Sequence, residues 1–217
     1  MKKIVMTMVA ACAALTMNAQ MYVGGTVGFG SDKSKTTTIE TTQNSLKIAP
    51  EFGMALDEKM GVGIELGFKN VSTEDKWIGV GADPVAKRLK PTKTAFSIRP
   101  YLRYQVFSFG KANIFVDGGV DFTINKDKEV ALDATGNTID NKAGMDLGLF
   151  VQPGFAFNIT DSWSIVAKLE NMFTFTYSKG QVPDVAGAPD APTSINARLA
   201  SGGFNTGDLR FGVYYNF

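Results

Sequence analysis

The chain has 217 residues, with 22 basic and 21 acidic side chains, 23 glycines, 16 phenylalanines and 44% apolar residues. This length fits one domain, and the composition favours a folded, β-rich chain over disorder. The near-neutral charge gives no support to nucleic-acid binding, and the absence of histidine excludes Ser-His-Asp catalysis and histidine-based zinc sites. We therefore expect a protein that is not an enzyme and needs no cofactor.

The amino-terminal segment has the pattern of a secretory signal peptide. Two lysines precede an apolar run at residues 4–17, and Ala19 supplies a small residue for cleavage. The run is shorter than the roughly 20 apolar residues that a membrane-spanning helix needs, and no other stretch approaches that length. We predict a signal peptide over residues 1–19 and a single mature domain over residues 20–217.

Cys12 is the only cysteine of the chain and leaves one alternative for processing. The sequence before it resembles a lipoprotein cleavage box, but cleavage there would reduce the apolar region to residues 4–11. The favoured interpretation is a cysteine inside a discarded signal peptide. The mature domain then has neither disulfides nor thiol chemistry.

Eight segments alternate between apolar and polar residues, as strands do when their two faces meet different surroundings. Each is long enough for a tilted transmembrane strand, which needs about 9–11 residues. Asn171 lies on the apolar face of the seventh segment and indicates either a bulge or a wrong phase there. The segments are residues 21–30, 46–56, 60–70, 94–107, 112–124, 144–157, 163–177 and 208–217.

The connections between these segments alternate in length, which is typical of transmembrane barrels with short periplasmic turns and long external loops. The first long connection is rich in threonine and is either a surface-contact segment or a solvated loop. Residues 77–82 or 195–200 are candidates for strand extensions above the membrane. The short connections are 57–59, 108–111 and 158–162, and the long ones are 31–45, 71–93, 125–143 and 178–205.

Three prolines recur at related positions in a weak internal repeat. Pro50, Pro100 and Pro153 each stand between apolar residues two positions before and two positions after them. Repetition at hairpin spacing supports an up-and-down topology. Because proline cannot donate a ladder hydrogen bond, each should lie at a bulge or irregularity.

The final segment ends on an aromatic residue, with no polar tail after it. Arg210-x-Gly212-x-x-Tyr215-x-Phe217 resembles the closing-strand signature of bacterial outer-membrane β-barrels. A soluble edge strand with this much exposed apolar surface would be an aggregation hazard. The resemblance implies that Gly212, Tyr215 and Phe217 form the signal that the barrel assembly machinery reads.

The predicted mature domain as a whole resembles small eight-stranded outer-membrane proteins, the group that includes OmpX and the barrel of OmpA. The resemblance implies an all-β fold, an eight-stranded antiparallel up-and-down transmembrane β-barrel, in the outer membrane of a Gram-negative cell. It also implies contact with outer-membrane lipid and lipopolysaccharide, and we expect a monomer. A ligand for the external loops is not predicted.

Alternation alone does not separate a membrane barrel, with its apolar face outside, from a soluble lipid carrier of the lipocalin type. Glycines concentrate on the polar face, which suits the narrow interior of a barrel of about eight strands. Aromatic residues gather near the strand ends in two groups, as in the girdles of membrane barrels. These features favour a polar interior and an apolar exterior facing lipid.

The predicted interior then holds positive and negative charges in nearly equal number, which implies pairing because an unpaired buried charge is costly. The hypothesis is that Arg99, Arg103 and Arg210 bridge Asp117, Asp121, Asp146 and Asp208 and so plug the barrel. A proton- or ion-conducting wire is the functional alternative. The predicted lumen charges are Lys47, Glu51, Glu65, Lys69, Arg99, Arg103, Asp117, Asp121, Asp146, Lys168, Glu170, Asp208 and Arg210.

Three functions compete at this point. The first is a closed, non-enzymatic barrel that has a structural or surface-interaction role through four long external loops. The second is a small porin-like channel. The third is a soluble-type lipid carrier or an enzyme that acts on lipid, which the absence of histidine and the outward apolar face weigh against.

Overall fold

The computed structural model of the chain describes residues 20–37, 39–77, 92–129, 139–140, 143–169, 172–182, 190–199 and 209–217. In these residues no helix is long and apolar enough to cross a membrane. The strands are Met21–Lys35 (β1), Ile39–Ala55 (β2), Met60–Trp77 (β3), Thr92–Phe109 (β4), Ala112–Glu129 (β5), Ile139–Asp140 (β6), Gly144–Asn158 (β7), Trp163–Leu169 (β8), Phe173–Lys179 (β9), Thr193–Leu199 (β10) and Leu209–Asn216 (β11).

The strands form a ring with eight positions, and every neighbouring pair is antiparallel. β1 to β5 follow one another in order, and β7 pairs with β5. The seventh position is shared by β8 and β9, which both pair with β7, and the eighth is shared by β11 and β10. β11 pairs with β1 and closes the ring. The predicted eight-stranded antiparallel barrel is therefore confirmed.

The seventh predicted strand differs from the expectation because it is divided into β8 and β9. Gly154 of β7 lies opposite Lys168, whereas Val151 lies opposite Phe173. Three steps along β7 thus correspond to five steps along its partner, so the register shifts by two residues. An even shift leaves the inward and outward faces in phase on both sides of the break.

Several sequence predictions fall on residues outside those that the structure describes. Asn171, the predicted bulge residue, is one of them, and so are the predicted lumen charges Glu170 and Asp208. The predicted signal peptide, with Cys12, is another. These remain predictions.

The prediction that residues 31–45 form a long loop is wrong. Residues 31–45 belong to a hairpin in which β1 and β2 pair continuously as far as Lys35 opposite Glu40. Only residues 36–38 connect the two strands. Both faces of this extension carry polar residues, so the alternation that marks the rest of the strands is lost there, although its threonines favour strand structure.

Strands also extend into the other predicted long loops. β3 continues to Trp77, β5 to Glu129 and β9 to Lys179, each beyond the end of the alternating segment. The suggested strand extension at 195–200 is present as β10, whereas residues 78–82 lie outside the described part of the chain. The four loops are therefore shorter than predicted, and much of the polar sequence is ordered sheet.

The three repeated prolines lie at irregularities of the sheet, as predicted. The ladder between β2 and β3 has no paired residues at Ala49 and Pro50, and that between β4 and β5 has none at Arg99 and Pro100. Pro153 lies at the register shift between β7 and its partner. Each proline thus stands where the neighbouring strand does not require its missing N–H.

The outer face of the barrel is apolar and exposed over its whole circumference. Leu102, Leu149 and Phe211 are more than half exposed. The polar residues that alternate with such apolar residues along each strand point inward. At the end with the short turns, exposed aromatic side chains form one group; at the other end they form a second. The first group includes Tyr104, Phe107, Phe157, Trp163, Tyr215 and Phe217, and the second includes Phe29, Phe68, Phe175 and Tyr177.

The carboxy-terminal strand closes the ring through its backbone. Phe217 and Met21 exchange hydrogen bonds, with N···O distances of 2.9 Å and 3.1 Å. The ring of Tyr215 packs edge-on against Trp163 at 5.1 Å on the outer face. Gly212 points inward, where a Cβ atom would collide with the carbonyl oxygen of Gly25 on β1. Glycine is therefore required there for the close approach of the first and last strands.

Candidate functional site

The lumen is organised around two glutamates that face each other across β2 and β3. Glu51 and Glu65 are directly opposed in the ladder, and both are 3% exposed. Their sequence neighbours Phe52 and Ile64 are exposed on the outer face of the barrel. Because successive residues of a strand point to opposite faces, the two glutamates lie on the inward face. Two buried carboxylates at adjacent positions require nearby cations.

Lys168 of β8 supplies one of these cations. Its Nζ lies 2.7 Å from Glu51 Oε2, 3.0 Å from Asp117 Oδ2 and 3.4 Å from Glu65 Oε2. The residue is completely buried. A single ammonium thus joins carboxylates from three different strands at the centre of the lumen.

Arg103 of β4 lies on the side of this centre that faces the short turns. Its Nε and Nη2 donate to Asp117 at 2.7 and 2.9 Å, and Nη2 also donates to Glu51 at 2.8 Å. The guanidinium lies 3.9 Å from the ring centre of Phe115. Two hydrogen bonds to one carboxylate fix the plane of the guanidinium.

Arg99 and Arg210 lie on the opposite side of the centre. Both donate to Glu65 Oε1, at 2.8 and 3.0 Å. Arg99 also pairs with Asp121 at 3.2 Å, and Arg210 donates to the side-chain oxygen of Gln152 at 2.9 Å. These contacts complete one continuous cluster, called the lumen network below, which consists of Glu51, Glu65, Arg99, Arg103, Asp117, Asp121, Lys168 and Arg210.

A layer of aromatic side chains surrounds Arg103. The hydroxyls of Tyr101 and Tyr214 both donate to Glu51, the second at 2.8 Å, and the hydroxyls of Tyr22 and Tyr101 are 2.6 Å apart. Tyr22 and Tyr214 stack with ring centres 4.9 Å apart. This aromatic layer, consisting of Tyr22, Tyr101, Phe115 and Tyr214, is almost completely buried.

The inward-facing aromatic residues take part in the lumen although no role was predicted for them from sequence. Phe115 and Phe150 interrupt the inward polar set of β5 and β7, and each packs against an arginine, Arg103 and Arg99 respectively. A large apolar residue at an inward position was the available signal. It was missed because the pattern was used only to separate the two faces.

Two cavities approach the lumen network from opposite ends. The outer vestibule, with a volume of about 200 Å³, is lined by Lys47, Glu65, Lys69, Ser97, Arg99, Asp121, Thr123, Gln152 and Arg210 among others. The inner vestibule, of about 270 Å³, lies at the short turns and is lined by Tyr22, Arg103, Asn113, Phe115, Ser164, Tyr214 and Asn216 among others. Glu51 and Asp117 contact Arg103 of the inner lining, and Lys168 contacts Glu65 of the outer lining, so the three residues lie between the two cavities.

The predicted lumen charges that the structure describes are not all gathered in the network. Arg103 pairs with Asp117 and Arg99 with Asp121, but Arg210 pairs with Glu65 instead of an aspartate. Asp146 accepts a hydrogen bond from the Asn125 amide at 2.7 Å. Lys47 and Lys69 line the outer vestibule. The arginine–aspartate hypothesis was incomplete because it left out the glutamates at the centre.

The short turn after β2 carries a perturbed carboxyl outside the strands. The backbone N–H groups of Lys59 and Met60 both donate to Asp57 Oδ1 at 2.7 Å. These hydrogen bonds lower the pKa of the Asp57 carboxyl. In the described part of the chain, no group of three acidic, histidine or cysteine side chains is placed to hold a metal ion.

Comparison with known proteins identifies the family. The model of the outer membrane protein beta-barrel domain matches residues 4–217. The chain belongs to this family. It lies in the outer membrane, and the exposed apolar face of the ring is the face that meets lipid.

Solved structures agree with this assignment at the level of the fold. A major outer membrane protein from Thermus thermophilus is 13% identical, with a TM-score of 0.55 over 92% of this chain and 100% of that chain. OprG, an outer membrane protein from Pseudomonas aeruginosa, is 14% identical, with a TM-score of 0.50 over 92% and 95%. No curated protein matches the sequence significantly.

The family assignment fixes the orientation of the two vestibules. Short turns lie on the periplasmic side of outer-membrane barrels, and the longer connections lie outside the cell. The inner vestibule, at the short turns, therefore faces the periplasm. The outer vestibule and the extended hairpin of β1 and β2 face the exterior.

Proposed function

We propose that this protein is a non-enzymatic barrel whose lumen is closed by the lumen network and the aromatic layer. The observation that carries the proposal is the central position of Lys168, which is completely buried and joins three carboxylates from different strands. Narrow barrels of about eight strands are filled by side chains. Because four cations face four carboxylates in the network, the closure is electrically balanced.

The absence of enzymatic activity is part of the same proposal. The carboxylates of the network each contact at least one cation, so none is presented to a substrate as an acid–base group. The chain also has no histidine. The role left for such a barrel is to stabilise the membrane and present its outer strands and loops to the surroundings.

The partners of the barrel follow from its surfaces. The apolar outer face and its two aromatic groups fit outer-membrane lipid on the inner leaflet side and lipopolysaccharide on the outer side. Gly212, Tyr215 and Phe217 are the residues proposed to present the closing strand to the assembly machinery. The barrel is proposed to act as a monomer.

The assembly role of the last residue is testable. Phe217→Ala should lower the amount of assembled protein in cells more than the yield of refolding in detergent, and equal effects would argue against a recognition role.

A small channel is the second candidate, because the two vestibules approach the network from both sides. The layer of Glu51, Asp117 and Lys168 lies between their linings. A rearrangement of this layer would connect the two vestibules. The two candidates differ in whether the barrel conducts ions at rest.

Single-channel conductance in a planar bilayer separates these candidates. The test compares the refolded wild type, the double variant Arg99→Ala/Arg103→Ala and a control, Lys93→Ala, whose ion pair with Asp127 lies at the exposed rim. The closed barrel gives no steady conductance in wild type or control and openings in the double variant. Steady conductance of the wild type would contradict closure and favour the channel.

A further inference from the structure

The first strand begins directly after the predicted signal peptide. β1 starts at Met21, and cleavage after Ala19 would leave Gln20 as the single residue in front of it. Gln20 contributes to the lining of the inner vestibule, at the end of the barrel with the short turns. The family assignment places this end on the periplasmic side, where a secreted chain acquires its new amino terminus. The position of Gln20 in the fold is therefore compatible with the predicted cleavage point.

The backbone is held on both sides from the carbonyl group of Gln20 onward. The Gln20 carbonyl oxygen accepts a hydrogen bond from the N–H group of Ala55, the last residue of β2, at an N···O distance of 2.9 Å. Met21 exchanges hydrogen bonds with Phe217, at 2.9 Å and 3.1 Å. Loss of Gln20 and Met21 from the amino terminus would therefore remove contacts that hold β1 to β2 and to the carboxy-terminal end of the ring.

Gln20 is placed where a reaction of the residue with itself would not disturb the sheet. Residue 20 is exposed, whereas Tyr22, the next residue on the same face, is buried. Gln20 also precedes the first residue of β1. A change that joins its side chain to its own α-nitrogen would keep the carbonyl oxygen that Ala55 contacts.

An amino-terminal glutamine carries a nucleophile and an electrophile in one residue. The neutral α-amino nitrogen attacks Cδ of the side-chain amide; the N–Cδ bond forms, the Cδ–Nε2 bond breaks, and an amine proton leaves with Nε2 as ammonia. The product is a five-membered lactam, pyroglutamate, and the step needs neither an oxidant nor a second substrate. α-Amino groups have ordinary pKa values of about 7.7–8.0, so a part of them is neutral near pH 7. Because both groups belong to one residue, proximity favours the reaction.

We propose that Gln20 becomes the amino terminus by cleavage after Ala19 and is converted to pyroglutamate. The proposal rests on the predicted signal peptide, and it does not depend on whether the lumen is closed. The lactam removes the positive charge of the amino terminus but retains the contact with Ala55. Aminopeptidases require a free α-amino group, so the modification protects the two residues that begin the ring closure.

Peptide mass spectrometry of outer membranes from the cells that naturally produce the protein tests this proposal. Digestion after lysine and arginine releases residues 20–33 as the first peptide of the cleaved chain, and Gln20 is the one side-chain amide in it. Nearly all of this peptide should have a mass lower by one ammonia than that of the open sequence. A synthetic peptide of residues 20–33 with an open glutamine, carried through the same digestion, measures the cyclisation that handling causes.

The matched variant Gln20→Asn keeps the amide but is one methylene shorter, so closure would require a strained four-membered ring. Its first peptide should begin at residue 20 with the full mass, and heat-modified migration on gels shows that the variant is an assembled barrel. An open glutamine in wild type, cyclisation no greater than in the synthetic peptide, or equal loss of ammonia in the variant would overturn the proposal. A wild-type chain that begins at another residue, including a lipidated Cys12, would overturn it as well.

Discussion

The periplasmic and external halves of the lumen are built by the same strands but differ in how deeply their charged side chains are buried. From the central Lys168 towards the periplasmic side, charges are buried and meet in direct contact, with aromatic rings packed around Arg103. In the external half, Lys47 and Lys69 line an open cavity, and the strands continue as polar sheet. The two regions therefore differ in enclosure: the charges around Lys168 are buried, whereas Lys47 and Lys69 line a cavity.

The largest effect that this comparison predicts is at Lys168. Lys168→Met removes the ammonium that contacts three carboxylates and should lower the free energy of unfolding by about 3–5 kcal/mol, because buried carboxylates are left uncompensated. Urea unfolding of the refolded protein in lipid vesicles, followed by tryptophan fluorescence, measures it. The matched change Lys93→Met at the exposed rim should cost about 0–1 kcal/mol. Equal losses would remove the distinction between the two halves.

A charge-conserving change tests whether the planar guanidinium of Arg103 matters beyond its charge. Arg103→Lys keeps the positive charge but loses the paired hydrogen bonds to Asp117 and the stacking on Phe115. We expect a loss of about 1.5–3 kcal/mol in the same unfolding assay. Arg198→Lys on β10, where the side chain is exposed, is the control and should be neutral. Wild-type stability of Arg103→Lys would show that geometry at this position is unimportant.

The close approach of the first and last strands predicts a difference between two glycines. Gly212→Ala places a methyl group against the backbone of Gly25 and should cost about 1–3 kcal/mol, because backbone atoms cannot move aside easily. Gly118→Ala, where a Cβ atom meets only the carbonyl oxygen of Phe150 at 3.8 Å, should be tolerated. Heat-modified migration of the folded barrel on gels, with unfolding in urea, compares the two. Equal stability of the variants would contradict the tight closure of the ring.

The smallest expected effect lies at the periplasmic turn of Asp57. Two backbone hydrogen bonds lower the pKa of this carboxyl below its ordinary value of 3.8, so its stabilising contribution is present above that pH and is lost as the pH falls through the lowered pKa. Asp57→Ala should therefore be less stable than wild type at neutral pH. The difference should shrink in acid, which urea unfolding at pH 7 and at pH 3 measures. A difference that does not change with pH would argue against the ionised carboxylate as its cause.

The barrel wall was predictable from sequence only where its two faces meet different surroundings. Ile48, Phe52 and Ile64 alternate with inward polar residues, and the ring confirms their outward positions. In residues 31–45 both faces are polar, so the period of two disappears although the backbone still pairs. Hydrophobic pattern therefore defined the lipid-facing band but not the length of the strands.

The contacts inside the lumen were less accessible to sequence reasoning. Inward position followed from alternation, but partners depend on how strands tilt and stagger around the barrel. Arg210 and Glu65 are 145 residues apart in sequence and meet across the lumen. Phe115 and Tyr22 pack against the guanidinium of Arg103 although no role was predicted for them from sequence. The charge balance and the pairs Arg103–Asp117 and Arg99–Asp121 were predictable from sequence, whereas the central role of Glu51, Glu65 and Lys168 was not.

Thiol labelling on either side of the network is the most direct test of closure. The chain from Gln20 onward contains no cysteine, so Ser97→Cys in the outer vestibule and Asn113→Cys in the inner vestibule each provide one reactive group. A sulfonated, membrane-impermeant maleimide is added outside sealed vesicles. A closed lumen predicts that the labelled fractions of the two variants add up to one, whatever the mixture of orientations. Complete labelling of both variants from the same side would contradict a lumen closed by the charged network.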